Sequence, residues 1–476
     1  MINVRRLTVI TLCVTSSSIG GNVLRAQDNP AMNTYATPAT EQAVESNSQQ
    51  LPAEWTLQDC IDYALEQNIT LRKSRINAES TAVDVKTAKA ALFPSLSFST
   101  SQNMVNHPYQ ESSSTVSGTE ILRSNSKTSY NGNYGLNAQW TVYNGSKRLK
   151  TIEQEKLNNR VAELDVATSE KNIEESITQT YVQILYAAES VKVNENTLAV
   201  SEAQCNRGKE LLAAGSLSKA DLAQLEAQVS TDRYQLVTAE TTLQNYKLQL
   251  KQLLELDGEE EMNLYLPELD NSKVLSPLPT KTDVYHAALA VRPEIESGKL
   301  NIQASELNID IARAGYMPSV SLSAGIGTNN TSGSDFTFAQ QVKNGWNNSL
   351  GLSISVPIFN NRQTKSAVQK AKLQRETSML NLLDEQKTLY KTIEGLWLDA
   401  NSAQQRYVAA QEKLRSTQTS FDLVSAQFNL GMKNTVELLT EKNNLLSAQQ
   451  ETLQAKYMAI LNAQLLKFYQ GGDIEL

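Results

Sequence analysis

The sequence predicts a mainly α-helical chain with a β-barrel part, built as a tandem repeat. Three observations carry this. Two stretches of close to 70 residues, from Ser146 to Ala213 and from Gln363 to Leu430, contain no Pro and one Gly each, Gly208 and Gly395. Four segments alternate apolar and small polar residues with hardly a charge. Three landmarks also recur in the same order at nearly one offset.

The 476 residues carry a net charge of −8, three Cys and two His. The acidic balance argues against a nucleic-acid binder. So few Cys and His leave little for a metal cluster or a Cys/His catalytic centre, and no cofactor is expected. His107 falls in a polar loop and His286 in a helical pattern, and no convergent acid, base or nucleophile set accompanies either, so the chain does not read as an enzyme. No apolar run of about 18 residues occurs, so a transmembrane helix is unavailable, but the weak alternating signal of a membrane β-barrel is not excluded.

Taken in chain order, Arg5 and Arg6 precede the apolar stretch Leu7–Val14, and small and polar residues lead to Ala26. This is the form of an export signal over residues 1–26, a disordered basic tail being the alternative. Cleavage there removes three Arg and no acid, taking the charge from −8 to −11. Cys13 follows Leu12, a poor neighbour for lipidation. Residues 27–53 are polar and lack Lys and Arg, as in a flexible leader. Cys60 and Cys205 fall in helical patterns far apart. An exported chain could bridge them, but they read better as two small buried thiols.

From residue 54 onward one pattern is written twice, over 54–257 and 282–470, with a linker at 258–281 and a tail at 471–476. Ala91–Phe98 recurs as Gly315–Leu322 at an offset of 224, and Trp140–Gly145 as Val356–Asn361 at 216. Gly215–Leu222 recurs as Gly431–Leu438, again at 216. Two long copies make one pseudo-symmetric unit rather than a solenoid of short repeats.

Each copy opens with a helical pattern. In the first it runs from Leu57 to Leu92 and stops at Pro94. Strands follow at about 95–105 and 130–143, and in the second copy at about 319–328 and 347–359. Leu96, Phe98, Tyr134, Leu136, Trp140 and Val142 alternate with Ser, Asn, Gly and Gln; Val320, Leu322, Leu350, Leu352 and Ile354 repeat this. Such strands have one apolar and one polar face. A half-buried sheet is one reading. Aromatics at the strand ends (Tyr130, Trp140, Tyr143, Trp346 and Phe359) suit a membrane barrel. Four strands cannot close a barrel, for which about eight are the minimum, and open edges cannot face lipid. In a membrane, several copies must share one barrel, and three would supply twelve strands.

The helices set the long dimension. Those at about 146–213 and 362–430 correspond to rods of roughly 100 Å, with apolar residues at mixed three- and four-residue spacings. Return helices at about 218–256 and 434–469 complete antiparallel hairpins. One Gly at each turn, Gly215 and Gly431, fits a left-handed C-cap, which is compatible with a functional tip.

The tandem repeat, the Pro-Ser-Leu/Val-Ser strand starts, Tyr143-Asn144-Gly145 and Phe359-Asn360-Asn361-Arg362 at the strand ends, and the Gly215…Asp221-Leu222 and Gly431…Glu437-Leu438 tips together resemble the TolC-type outer-membrane efflux proteins. So does the run Asn68–Ser74, and the resemblance spans about Trp55 to Tyr469. It implies a homotrimer, with a shared twelve-stranded barrel in outer-membrane lipid and an α-helical periplasmic tunnel. It also implies a periplasmic adaptor and an inner-membrane transporter of the RND or ABC class, with the channel passive and free of nucleotide. By position after the tip Gly, Lys433 resembles the family's gate Arg and Asp221 its acidic partner, and Lys forgoes the bidentate geometry of Arg. Glu437 matches the first of two constriction acids, while Thr440 stands at the second, a departure. The tips Gly215, Ser216, Leu217, Gly431 and Met432 would dock the adaptor. Asp221 and Glu437 equally suit the first turn of a helix, where the dipole favours acids. A duct for small molecules such as drugs is the reading that follows. The alternatives are the duct of a type I protein secretion system and, in a different class, a periplasmic coiled-coil adaptor.

Overall fold

A computed structural model describes residues 54–109, 113–117, 120–124, 127–256, 262–267, 271–332 and 334–474. The expected export signal and the whole expected leader lie outside them. The first half contains α1 (Leu57–Gln67), α2 (Ile69–Ala90), β1 (Ser95–Asn106), β2 (Ser113–Ser117), β3 (Glu120–Ser124), β4 (Thr128–Asn144), α3 (Lys147–Ala213) and α4 (Lys219–Leu253). The short α5 (Asn271–Val274) precedes the second half: α6 (Lys281–Val291), α7 (Pro293–Arg313), β5 (Ser319–Thr331), α8 (Phe338–Asn344), β6 (Asn347–Ser355), α9 (Gln363–Asn429) and α10 (Thr435–Tyr469).

The two halves match in helix length: α3 and α9 have 67 residues each, and α4 and α10 have 35. At 1.5 Å per residue the longer pair reach about 100 Å. A lone helix of that length has no single apolar stripe because its neighbours change along it. The N-terminal part of α3 lies antiparallel to α2, with Thr81 bonded to Asn159 and Arg75 paired with Glu170. Its C-terminal part lies antiparallel to α4, with Arg233 paired with Glu202. The α2 and α4 helices therefore stack end to end along α3. The stack is joined where Asn68 Nδ2 donates to the Leu253 carbonyl at 3.1 Å. The second half repeats this: α7 and then α10 follow α9, through Arg375–Glu306 and Lys413–Glu451. There the Arg292 guanidinium lies 4.0 Å over the Tyr469 ring at the join.

Asn68 also corrects the single helix expected over 57–92. Its side chain caps α2 by accepting from the Thr70 and Leu71 amides, so the chain breaks there into α1 and α2. The largest apolar cluster sits at this level, around Trp55, Leu71, Ile177, Tyr181, Leu250, Leu254 and Leu465. Cys60 belongs to it, fully buried, and both Cys60 and Cys205 are free thiols. Burial pushes the Cys60 thiol up to about 12, with Asp59 adding to the shift. Neither Cys should react with maleimide in the folded protein, and both should after denaturation; labelling of native protein at Cys60 would contradict this packing.

β1, β4, β5 and β6 form one antiparallel sheet in that order, and β2–β3 a separate hairpin. The hairpin occupies part of the polar loop between β1 and β4, and the corresponding loop of the second half carries α8 instead. Register places Phe98, Leu136 and Ile326 abreast, then Leu96, Ala138, Ala324 and Leu350, then Trp140, Leu322 and Leu352. A bulge between Thr141 and Tyr143 interrupts the expected alternation: Val142 is skipped, and Tyr143 pairs with Val320. The last expected strand is shorter than 347–359. It ends at Ser355, because Pro357 cannot donate to a ladder, so Phe359 lies beyond it.

Candidate functional site: an uncovered sheet and two helical tips

The sheet has an unusual surface for one chain. None of its four strands contains Asp, Glu, Lys, Arg or His. One face carries Ser97, Ser99, Asn133, Asn137, Gln139, Ser323, Ser353 and their neighbours. The other is apolar and uncovered, with Phe98 68 %, Leu350 78 % and Ile354 63 % exposed. Aromatics border it. Trp140, Tyr143 and Phe359 lie towards the long helices, with the Trp140 indole donating to the Leu92 carbonyl at 2.8 Å. Tyr130 lies near the opposite end of β4, and Trp346 sits between α8 and β6. From Tyr130 to Trp140 is ten residues, which at about 3.3 Å each and a barrel tilt of about 40° spans about 25 Å, the height of an outer-membrane apolar band. Among the described residues no helix is long and apolar enough to cross a membrane.

The two tips are built alike. Gly215 and Gly431 both have φ +75°, with open space where a Cβ would stand, so backbone conformation rather than room selects Gly. Ser216 N donates to the Leu211 carbonyl and Gly215 N to Leu212; Met432 N donates to Gln427 and Gly431 N to Phe428. This is the Schellman arrangement. Leu217 is half-buried in the apolar cluster behind the tips. Gly431→Val should cost about 1–2 kcal/mol from left-handed strain alone, read as a lower unfolding temperature; an unchanged temperature would refute this assignment.

The expected gate residues are engaged locally. Asp221 accepts from the Ser218 hydroxyl at 2.6 Å, and its amide donates back to that oxygen. Glu437 closes a capping box with Asn434 and accepts from Lys433 Nζ at 2.6 Å. The structure does not bring Asp221 and Lys433 together within the chain. It pairs Lys433 with Glu437, a partnership that position after the tip Gly does not suggest. The Lys433 hydrogen bond and the Asn434 amide hold Glu437 below the usual carboxylate value. That local contribution is present above the unfolded carboxylate value and is lost as pH falls through the lower folded one. Thr440 is exposed and turns its hydroxyl onto the Val436 carbonyl.

A further polar cluster lies behind the tips. Lys442 of α10 donates to Ser201 of α3 and to Asp232 of α4, and Ser201 donates to Asp232. All three are at most 3 % exposed. The signal for them in the sequence is register: Leu438, Lys442 and Leu445 share one seam at helical spacing, and so do Leu225 and Asp232. Among the described residues no group of acids, His and Cys could hold a metal.

Two antiparallel helical hairpins of rod length and an uncharged two-faced sheet define a membrane-seated duct protein. Residues 60–255 and 284–472 match the outer membrane efflux protein family, and the chain belongs to it, as a TolC-type outer-membrane efflux channel of Gram-negative bacteria. Toxin and drug export protein A of Aggregatibacter actinomycetemcomitans is 22 % identical over 464 residues, covering 97 % of this chain and 96 % of that one. Outer membrane protein TolC of Escherichia coli K12 is 23 % identical over 417 residues, covering 85 % and 80 %. The fold is also that of the Campylobacter jejuni CmeC outer membrane channel, at TM-score 0.72 and 19 % identity, covering 88 % of this chain and 87 % of that one.

Proposed function

We propose that three copies of this chain form a passive duct. Its twelve-stranded barrel sits in the outer membrane, and its helical tunnel takes small molecules such as drugs from a periplasmic adaptor and an inner-membrane RND or ABC transporter. One observation carries the reading: the sheet has an uncovered apolar face and two open edges, β1 and β6. The apolar face is not tolerable in water, and the open edges are not tolerable in lipid. The order β1-β4-β5-β6 alternates in direction, so β6 of one copy meets β1 of the next antiparallel, and the pairing closes on itself. Two copies would give eight strands, too narrow for a duct, whereas three give twelve.

In this assembly the tips form the gate, and Asp221 and Lys433 pair between neighbouring hairpins in the closed state. Glu437 places three carboxylates at the constriction and favours cations. The tip loops Gly215–Leu217 and Gly431–Met432 dock the adaptor. A relative named for toxin and drug export is consistent with both the small-molecule reading and protein secretion. The charge-free polar face favours the first, since it offers no fixed charge to a polypeptide and admits small solutes of either sign.

Detergent-purified protein should migrate as a trimer and conduct in planar bilayers, and a water-soluble monomer would overturn the reading. Glu437→Gln preserves the capping box, because Gln also caps, and should reduce cation selectivity. Lys433→Ala and Asp221→Ala should raise conductance, and unchanged leakiness in both would remove the pair from the gate.

A further inference from the structure

We propose that Lys442, Asp232 and Ser201 form a latch that holds the two hairpins of one chain together behind the tips, and that its separation sets how readily the duct opens. This rests on the duct reading above. The three residues come from both hairpins: Ser201 and Asp232 from the first, Lys442 from the second. They meet at the edge of a dry seam of Cys205, Leu225, Phe421, Phe428, Leu438 and Leu445. Counted along the helices, Lys442 lies about 16 Å and Asp232 about 25 Å from the tip Gly of its own hairpin.

The contact is closed on itself. Lys442 Nζ donates to both partners, Ser201 Oγ donates to Asp232 Oδ2, and Gln228 Nε2 occupies Asp232 Oδ1 at 2.9 Å. Gln228 also reaches Asn443 of the second hairpin at 3.4 Å, so the same α4–α10 seam carries a second polar link. Burial drives the Lys442 ammonium below its ordinary value, and the Asp232 carboxylate opposes that. The latch is not part of the repeat. The position 216 residues after Asp232 is Ala448, and the position 216 before Lys442 is Glu226, so the pair occurs only where the two hairpins meet.

Two physical consequences follow. A charge pair at a seam fixes register, because any slip of α10 along α4 leaves one charge buried and alone. The pair also makes the seam two-state. When hairpins are together and dry, both charges are paired; when they are apart, water enters and solvates both, and a half-open dry seam is disfavoured. An outward swing of the tips therefore passes through separation of Lys442 from Asp232. Removing the ammonium leaves the Asp232 carboxylate buried without a counter-charge, held only by Ser201 and Gln228, and favours the wet, separated state.

The test uses the full chain, purified in detergent, with planar-bilayer conductance, trimer content and unfolding temperature measured together. Lys442→Met should raise the time-averaged conductance about tenfold at unchanged trimer content. The exchanged pair, Asp232→Lys with Lys442→Asp, should return it to within about twofold of the parent. A merely structural contact would lower the unfolding temperature in Lys442→Met without raising conductance, and that result overturns the latch. A conducting exchanged pair that stays as leaky as Lys442→Met also overturns it. Should Lys442→Met fail to assemble, Asp232→Asn keeps the side-chain shape and one accepting oxygen, removes the charge and carries the same expectation. Conductance that is equal in the parent and every variant overturns the latch alone. No conductance from the parent or any variant, Lys433→Ala included, overturns the duct reading and the latch with it.

Discussion

Leu136→Arg should abolish assembly in the outer membrane, whereas Asn137→Arg, one residue further on, should leave trimers in place. Leu136 lies near the middle of the span from Tyr130 to Trp140 on the apolar face, abreast of Phe98 and Ile326. An Arg near the bilayer midplane costs about 2–4 kcal/mol, and in the proposed trimer three copies would place roughly 6–12 kcal/mol on one barrel. That is comparable with the whole stability of an ordinary domain. Asn137 faces the other way, abreast of Ser97 and Gly325 among hydroxyls and amides. In the proposed barrel an Arg there would enter the aqueous interior and should alter ion selectivity instead. The readouts are trimer in the outer-membrane fraction and drug sensitivity of the cells. Trimer from Leu136→Arg, or loss of trimer from Asn137→Arg, would mean that the faces are assigned the wrong way round.

The same alternation explains how much of this fold is legible in the sequence. Lipid on one side and water on the other force a strict period of two, and a charge is costly on the lipid face, so β1, β4, β5 and β6 stand out by what they lack. The long helices stand out through the absence of Pro, and the tips through Gly215 and Gly431. Features set by a single side chain are not legible. Asn68 reads as one more polar residue in a helical pattern until its side chain caps α2. Val142 fits the alternation, yet the ladder skips it. The β2–β3 hairpin and α8 lie in loops where apolar runs such as Ile121-Leu122 are too short, between Ser, Thr, Gly and Asn, to show a period that specifies an element. At the tips, sequence position suggests Asp221 with Lys433, while the shortest reach gives Ser218 with Asp221 and Lys433 with Glu437. Local caps cost almost no chain entropy, whereas a contact between Asp221 and Lys433 must close a loop of about 210 residues. Lys442 and Asp232 escape a sequence reading for a related reason. Each is an ordinary helix residue, and only its place in the seam register marks it as buried.

The junction between sheet and rod carries the second large effect. Two consecutive residues turn left-handed there in both halves: Gly145 and Ser146 at φ +68° and +64°, then Asn361 and Arg362 at +49° and +64°. This double turn redirects the chain from β4 into α3 and from β6 into α9. Copy two makes it with Asn, the residue after Gly most at ease in that region. Copy one cannot, because a Cβ on Gly145 would stand 2.6 Å from Met317 Cβ and 3.0 Å from the Ala314 carbonyl oxygen. Those two atoms sit just before β5, so the clash would push the start of one strand away from the end of its neighbour. Gly145→Val combines that overlap with a β-branched side chain at positive φ, at about 3 kcal/mol or more per chain. In a threefold assembly the cost falls on three junctions, and trimers should dissociate at a markedly lower temperature. Asn361→Gly is the matched control, since it relieves left-handed strain but adds unfolded-chain freedom, two effects of about 1 kcal/mol that oppose each other. Its dissociation temperature should stay near the parent's. Equal losses from both substitutions would show that the two junctions are strained alike and that the contact with Met317 is not what selects glycine at position 145.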